Sequence, residues 1–153
     1  MLPSALLPQH ATIAIATPAS PPKDLAAYEA GIAYLADLGF NIKRVPLAPT
    51  HHGYLSGTDE QRATAFNTLL ADPAIDAIFC TRGGYGTARM LPLLNYEAAR
   101  QSPKLLVGYS DITALQLALY AHAGWYSISG PMVAVEWGKL DPRCETQFWN
   151  FAT

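Results

Sequence analysis

The stretch LLVGYSDIT, residues 105–113, places an apolar run directly before a glycine and a serine. Its first three residues, 105–107, are typical of a buried strand because they form a short, continuous apolar run. Apolar residues at helical spacing begin almost at once after Ser110. The sequence therefore predicts a strand, then a sharp turn that carries Ser110, and then a helix over residues 111–121.

The position of Ser110 allows two interpretations. A serine on a strand-to-helix turn can expose its hydroxyl group above the edge of the sheet, which is the arrangement of a nucleophile elbow. Ser and Asp are also common at helix starts, because their side chains cap free N–H groups. Ile112 stands where a G-x-S-x-G pattern would have its second glycine, so the stretch alone leaves both interpretations open.

The rest of the chain repeats the same alternation of strand and helix. Thr58 and Gln61 form a capping-box signature before a helix. Asp141 and Pro142 are typical of an N-cap followed by proline at the first helical position. Strands are predicted at residues 11–16, 40–45, 75–80, 105–107 and 125–129, and helices at residues 24–38, 58–71, 87–93, 111–121 and 145–152. We therefore expect an α/β three-layer sandwich with a mostly parallel five-stranded sheet, flavodoxin-like in character.

Composition limits the function classes. The chain has 153 residues, of which 50% are hydrophobic and 14% charged, with a formal net charge of -2. This suits one globular domain, and the absence of a basic patch argues against nucleic acid as a partner. The sequence contains neither a convincing signal peptide nor an apolar stretch that could span a membrane. Cys80 and Cys144 lie far apart, which favours neither a metal site nor a disulfide framework, so a cytoplasmic protein is expected.

Loops at the carboxyl edge of the predicted sheet are the places to look for a site, because ligands bind there in open parallel sheets. The loop RGGYG, residues 82–86, has three glycines, which permit close approach of the backbone to a ligand. Its N–H groups could form half of an oxyanion hole. A phosphate loop is less favoured, because neither G-x-G-x-x-G nor a G-K-[ST] ending is present. A loop that merely connects two elements stays open as an alternative.

Five short motifs together resemble the LD-carboxypeptidases, the serine peptidase family that includes the microcin C self-immunity peptidases. In chain order they are IATPAS at 15–20, HGYLSGTD at 52–59, TRGGYG at 81–86, GYSDIT at 108–113 and SGPM at 129–132. Each motif is weak alone, but the ordered set is specific. The resemblance covers most of the chain.

The resemblance implies a reaction and a set of roles. The reaction is hydrolysis of the bond between an L-centre and a terminal D-amino acid in muropeptide tetrapeptides, without a metal or organic cofactor. Ser110 is the implied nucleophile, and the backbone N–H groups of Gly84 and Asp111 form the implied oxyanion hole. Apart from the resemblance, Arg82, Gly83 and Tyr109 are expected to contact the substrate, Arg82 through a bidentate contact with a carboxylate. A surface position for Arg82 and ordinary aromatic packing for Tyr109 stay open as alternatives. An antibiotic peptidyl-nucleotide substrate, or a non-catalytic module that binds a small ligand, stays open as an alternative.

The implied catalytic triad is incomplete in this sequence. The family takes its Glu and His from a C-terminal domain, so we expect residues 1–131 to be the nucleophile-bearing domain and 132–153 a segment leading to that domain. His122 is excluded as a base, because it is about 18 Å from Ser110 along a helix axis. His51 and His52 lie on a loop at the correct edge, but the resemblance gives that loop no base.

Two expectations concern partners of the chain. An apolar surface is expected to be exposed where the C-terminal domain would dock, and a homodimer of the longer protein is expected. The residues expected in that apolar surface are Met132, Val133, Trp137, Phe148 and Trp149.

Overall fold

A computed structural model describes residues 7–48 and 52–153 of the chain. Its centre is a five-stranded sheet in the order β2-β1-β3-β4-β5, in which every neighbouring pair of strands is parallel. This order is the flavodoxin-like one, so the predicted fold class is confirmed. The strands are β1 (Thr12–Ala16), β2 (Asn41–Arg44), β3 (Ala77–Cys80), β4 (Leu105–Gly108) and β5 (Ser127–Ser129).

Helices connect the strands and follow the last of them. They are α1 (Leu25–Asp37), α2 (Asp59–Ala71), α3 (Thr87–Met90), α4 (Tyr96–Gln101), α5 (Thr113–Ala123) and α6 (Pro142–Ala152), with short 3-10 turns at Leu91–Leu93 and Ser110–Ile112. The capping box at Thr58 is confirmed, and so is the N-cap at Asp141 with proline at the start of α6. Helix α4 was not predicted, because six residues are too few to show helical periodicity.

Two helical layers cover the sheet. Side chains of β1 and β3 alternate between its faces, since successive residues of a strand point to opposite sides. Ile13, Ile15 and Phe79 face helices α1 and α6, whereas Ala14 and Ile78 face α2, α4 and α5. The three central strands β1, β3 and β4 are therefore buried on both faces, as is typical of a parallel sheet, whereas the edge strands β2 and β5 stay partly exposed.

The segment after β5 belongs to the core, which corrects one expectation. Met132, Val133, Trp137 and Phe148 are at most 6% exposed, and Trp149 is half-buried. The predicted exposed apolar surface at these five residues is therefore wrong.

The physical reason is that α6 packs on the sheet face beside α1. Trp137 and Phe148 each lie 6.0 Å from Phe79, ring centre to ring centre. The backbone N–H of Val133 donates to the Cys80 carbonyl at 3.0 Å. The segment is thus anchored at the end of β3 before α6 returns over the sheet.

Within the described residues, none of the helices combines the length and the apolar character needed to cross a bilayer.

Candidate active site

Ser110 occupies a strained turn at the carboxyl edge of the sheet. It stands two residues after the end of β4 and has φ 61, a left-handed conformation that few non-glycine residues adopt. That conformation costs an L-residue roughly 1–2 kcal/mol. The side chain is exposed. A strained serine between a strand and a helix is the backbone geometry of a nucleophile elbow.

The structure does not support the capping interpretation of Ser110. Neither the 3-10 turn at Ser110–Ile112 nor α5 has a side-chain hydrogen bond at its N-terminus. The neighbouring carboxylate of Asp111 instead accepts a hydrogen bond of 3.0 Å from the backbone N–H of Thr87, at the start of α3. The Ser110 hydroxyl group therefore does not cap a helix, whereas the Asp111 carboxylate caps the start of α3.

The glycine-rich loop lies against Ser110 because β3, which it follows, pairs with β4. A Cβ added at Gly83 would lie 3.1 Å from Ser110 Cβ and 3.3 Å from Ser110 Oγ. Gly84 has φ +132, and a Cβ added there would lie only 2.2 Å from Ser20 Oγ. Gly84 therefore depends on glycine, whereas Gly83 is in tight contact with Ser110, and the backbone of the two runs between Ser20 and Ser110.

Tyr109 and Arg82, both predicted at the substrate, also contact the protein itself. The Tyr109 hydroxyl group donates to Glu136 Oε1 at 2.6 Å, and this hydrogen bond raises the pKa of Tyr109, with burial adding to the rise. Arg82 is half-buried, and its Nη1 donates to the Pro21 carbonyl at 3.2 Å. Glu136 thus holds the Tyr109 side chain beside the turn at Ser110, and the Pro21 carbonyl holds the Arg82 side chain at the loop at 17–22.

Two buried polar side chains that support the site were not found by sequence reasoning. Gln116 donates through Nε2 to the carbonyl of Gly108 at 2.9 Å and to that of Ile128 at 3.2 Å, which ties α5 to the ends of β4 and β5. Arg62, only 2% exposed, forms an ion pair with Asp59. A polar residue on the apolar face of a helix is the signal that could have revealed Gln116 and Arg62.

Two of the described histidines, His10 and His122, make contacts away from Ser110. His122 lies in the last turn of α5, and its ring packs 4.5 Å from that of Tyr96. His10 precedes β1 at the opposite edge of the sheet, where its ring bonds to the Gly39 carbonyl. His52 is exposed on its loop, and His51 lies outside the described residues. No group of three or more potential metal ligands occurs within residues 7–48 and 52–153.

Comparison with known proteins decides the family. The family model described as the LD-carboxypeptidase N-terminal domain matches residues 13–130. This chain belongs to that family. A probable murein peptide carboxypeptidase of Bacillus subtilis is 33% identical to it over 130 residues, which is 85% of this chain and 40% of the relative.

Solved structures agree with this family assignment. The microcin C7 self-immunity protein MccF, in complex with aspartyl sulfamoyl adenosine, superposes with a TM-score of 0.91 at 32% identity, over 100% of this chain and 47% of MccF. A muramoyltetrapeptide carboxypeptidase from Oxalobacter formigenes gives a TM-score of 0.82 at 29% identity, over 93% of this chain and 48% of that one. The chain therefore spans less than half the length of these relatives.

Proposed function

We propose that this chain is the nucleophile-bearing half of a serine LD-carboxypeptidase. Its reaction would be hydrolysis of the bond from an L-centre to a terminal D-amino acid in muropeptide tetrapeptides. The observation that carries the proposal is the left-handed Ser110 at the end of β4, with the backbone of Gly83 packed against its side chain. The names of the B. subtilis and O. formigenes relatives support the substrate class.

The geometry supports a stepwise acyl transfer. Ser110 Oγ attacks the scissile carbonyl carbon while a base takes its proton. The carbonyl oxygen becomes an oxyanion, which the N–H groups of Gly84 and Asp111 stabilise. Collapse of the tetrahedral intermediate breaks the C–N bond, and the D-amino acid leaves with the proton returned by the base. Water then hydrolyses the ester on Ser110 in a second pass through the same steps.

The mechanism also needs a base and a carboxylate that orients it, and we place both outside the described residues. We assign the base and its orienting carboxylate to a His and a Glu of a C-terminal domain that follows residues 132–153. Arg82, Gly83 and Tyr109 would contact the substrate, with the Arg82 guanidinium suited to the terminal carboxylate. Muropeptide recycling would place the protein in the cytoplasm, and the longer protein would form a homodimer. Neither a metal nor an organic cofactor is needed for this chemistry.

A second candidate is cleavage of a peptidyl-nucleotide antibiotic. The structural similarity to MccF in complex with aspartyl sulfamoyl adenosine favours it. Both candidates use the same nucleophile and differ in the group beyond the scissile bond, which the C-terminal domain would contact. A non-catalytic binding module is less favoured, because it would have no use for the strained conformation of Ser110.

The test is turnover by the complete protein that carries this chain. Release of D-alanine from an L,D-tetrapeptide is measured beside hydrolysis of an aspartyl sulfamoyl nucleoside. Ser110→Ala should lower kcat by several orders of magnitude, about 10⁶ in a comparable serine hydrolase. Ser102→Ala, at the opposite edge of the sheet, is the control and should stay within about twofold of the unmodified protein. Full activity in Ser110→Ala would exclude the serine mechanism.

A further inference from the structure

The peptide group between Gly86 and Thr87 is held at both of its polar atoms. Its carbonyl oxygen accepts a hydrogen bond of 2.9 Å from Arg62 Nη1. Its N–H group donates to Asp111 Oδ2 at 3.0 Å. Gly86 has φ 107 and provides no side-chain cap for the four-residue helix α3. The Gly86 carbonyl also accepts a longer hydrogen bond of 3.2 Å from the backbone N–H of Arg89 within α3. Arg62 and Asp111 are thus the two side chains that hold this peptide group, one at each polar atom.

Arg62 links this peptide group to a second loop. The same Nη1 donates to the Pro18 carbonyl at 2.6 Å, so one nitrogen bridges the loops at 17–22 and 81–86. A buried guanidinium needs a counter-charge, which Asp59 supplies. Arg62 uses two nitrogens here, Nη1 for the two carbonyls and Nη2 for the Asp59 carboxylate. A lysine has one ammonium nitrogen and lacks the planar fork that reaches both sets of acceptors.

Asp111 links the peptide group to the nucleophile. It is the residue directly after Ser110, and its own carbonyl accepts a hydrogen bond of 2.6 Å from Thr87 Oγ1. Side chain and backbone of Asp111 thus both bind Thr87, which is fully buried. A carboxylate bound to an N–H group is among the stronger hydrogen bonds.

We propose that Arg62 and the Asp111 side chain are positioning residues that clamp the Gly86–Thr87 peptide group and so fix the oxyanion loop over Ser110. Gly84 precedes this peptide group by two residues, and its N–H is one of the two oxyanion donors proposed above. A rotation of the peptide group would move that donor away from the reacting oxygen. The catalytic part of this inference rests on the proposed function, whereas the clamp itself rests on the contacts alone.

Amide hydrogen exchange in the chain tests the clamp without any activity. Asp111→Ala removes the acceptor and should lower the protection of the Thr87 N–H by about tenfold or more. Asp111→Asn keeps an acceptor oxygen and should retain most of the protection. The control is Asp76→Ala, because Asp76 also accepts a backbone N–H, that of Thr12 at 2.8 Å, at the opposite edge. Unchanged protection of Thr87 in Asp111→Ala would overturn the clamp.

Kinetics of the complete protein test the positioning role. Asp111→Ala should lower kcat on an L,D-tetrapeptide by about 10²-fold with little change in KM, because the misplaced donor acts on the transition state. Asp111→Asn should recover most of kcat, and Asp76→Ala should leave it unchanged. Arg62→Lys keeps the buried charge and should lower kcat at least about tenfold.

The outcomes separate this inference from the proposed function. Normal kcat in Asp111→Ala, together with lost Thr87 protection, would overturn the positioning role and leave the serine mechanism intact. A complete protein without turnover would overturn the proposed function and the catalytic role with it. The exchange experiment would still decide whether Asp111 clamps the peptide group.

Discussion

The hydroxyl group of Tyr109 donates a hydrogen bond of 2.6 Å to Glu136 Oε1, although the two residues lie 27 positions apart. The other carboxylate oxygen of Glu136 accepts from the backbone N–H of Met132 at 2.9 Å. The residue before the proposed nucleophile is therefore tied to the segment that follows β5.

The first prediction concerns the pH dependence of this contact. The Glu136 carboxylate favours the neutral phenol and raises the pKa of Tyr109 above its ordinary value of 10.0. The pKa of such a group is higher in the folded chain than in the unfolded chain. Its protonated form therefore stabilises the fold at pH values below the unfolded pKa, and this stabilisation is lost as pH rises through the folded pKa. The difference in free energy of unfolding between the chain and Tyr109→Phe should thus be constant from neutral pH to about pH 10 and shrink above it.

Urea unfolding at several pH values measures this difference. Tyr120→Phe, at an exposed tyrosine on α5, controls for the general effect of losing a phenol group. A difference between the chain and Tyr109→Phe that persists up to about pH 11 would contradict the predicted role of the hydrogen bond.

A second prediction separates strain from capping at Ser110. Ser110→Ala should change the free energy of unfolding by less than about 0.5 kcal/mol, because no cap hydrogen bond is lost. Ser110→Gly should be at least as stable as Ser110→Ala, because glycine avoids the left-handed strain of roughly 1–2 kcal/mol. Denaturant unfolding of both variants is the measurement. A loss of about 1 kcal/mol in Ser110→Ala would instead show that the hydroxyl group caps a helix.

The third prediction concerns Gly84 and uses Gly124 as its control. Both have positive φ, but a Cβ added at Gly84 would meet Ser20 Oγ at 2.2 Å, whereas nothing lies within 4 Å of one added at Gly124. Gly124→Ala should cost only backbone strain, roughly 1–2 kcal/mol. Gly84→Ala should cost clearly more, because Ser20 must also move. Equal melting temperatures for the two variants would show that the loop at 81–86 rearranges to accept a Cβ at Gly84 with little loss of stability.

A fourth prediction tests whether α6 is part of the fold. Phe148 is 6% exposed and packs on Phe79, whereas Phe151 on the same helix is 75% exposed. Phe148→Ala should lower the free energy of unfolding by about 3–5 kcal/mol. Phe151→Ala should change it by less than about 0.5 kcal/mol. Similar small losses in both variants would mean that α6 does not contribute to the core.

Local patterns predicted the fold. Apolar runs such as Leu105–Val107 mark buried strands, and the order of strands and helices then requires a parallel sheet. The glycines of the loop at 82–86 were predicted to let the backbone approach a ligand, and this stays a prediction. The structure shows that Gly84 has a positive φ and no room for a Cβ beside Ser20.

Tertiary contacts explain what the sequence could not reveal. Asp111 looked like a cap for its own helix, but its carboxylate binds Thr87 in another loop. The aromatic residues Trp137 and Phe148 looked like a docking surface, because nothing local shows that α6 returns to the sheet. Arg62 drew no prediction from the sequence, because only folding brings the carbonyls of Pro18 and Gly86 to it.

The last prediction concerns the chain without a further domain. We expect it to release D-alanine from an L,D-tetrapeptide far more slowly than the complete protein, because a serine hydroxyl group needs a base within hydrogen-bond reach. His10 and His122 are committed to contacts away from Ser110. D-alanine release by the chain is compared with release by its Ser110→Ala variant. Robust turnover that Ser110→Ala abolishes would contradict this expectation, and His52→Ala would then show whether the loop at 52–58 supplies the base.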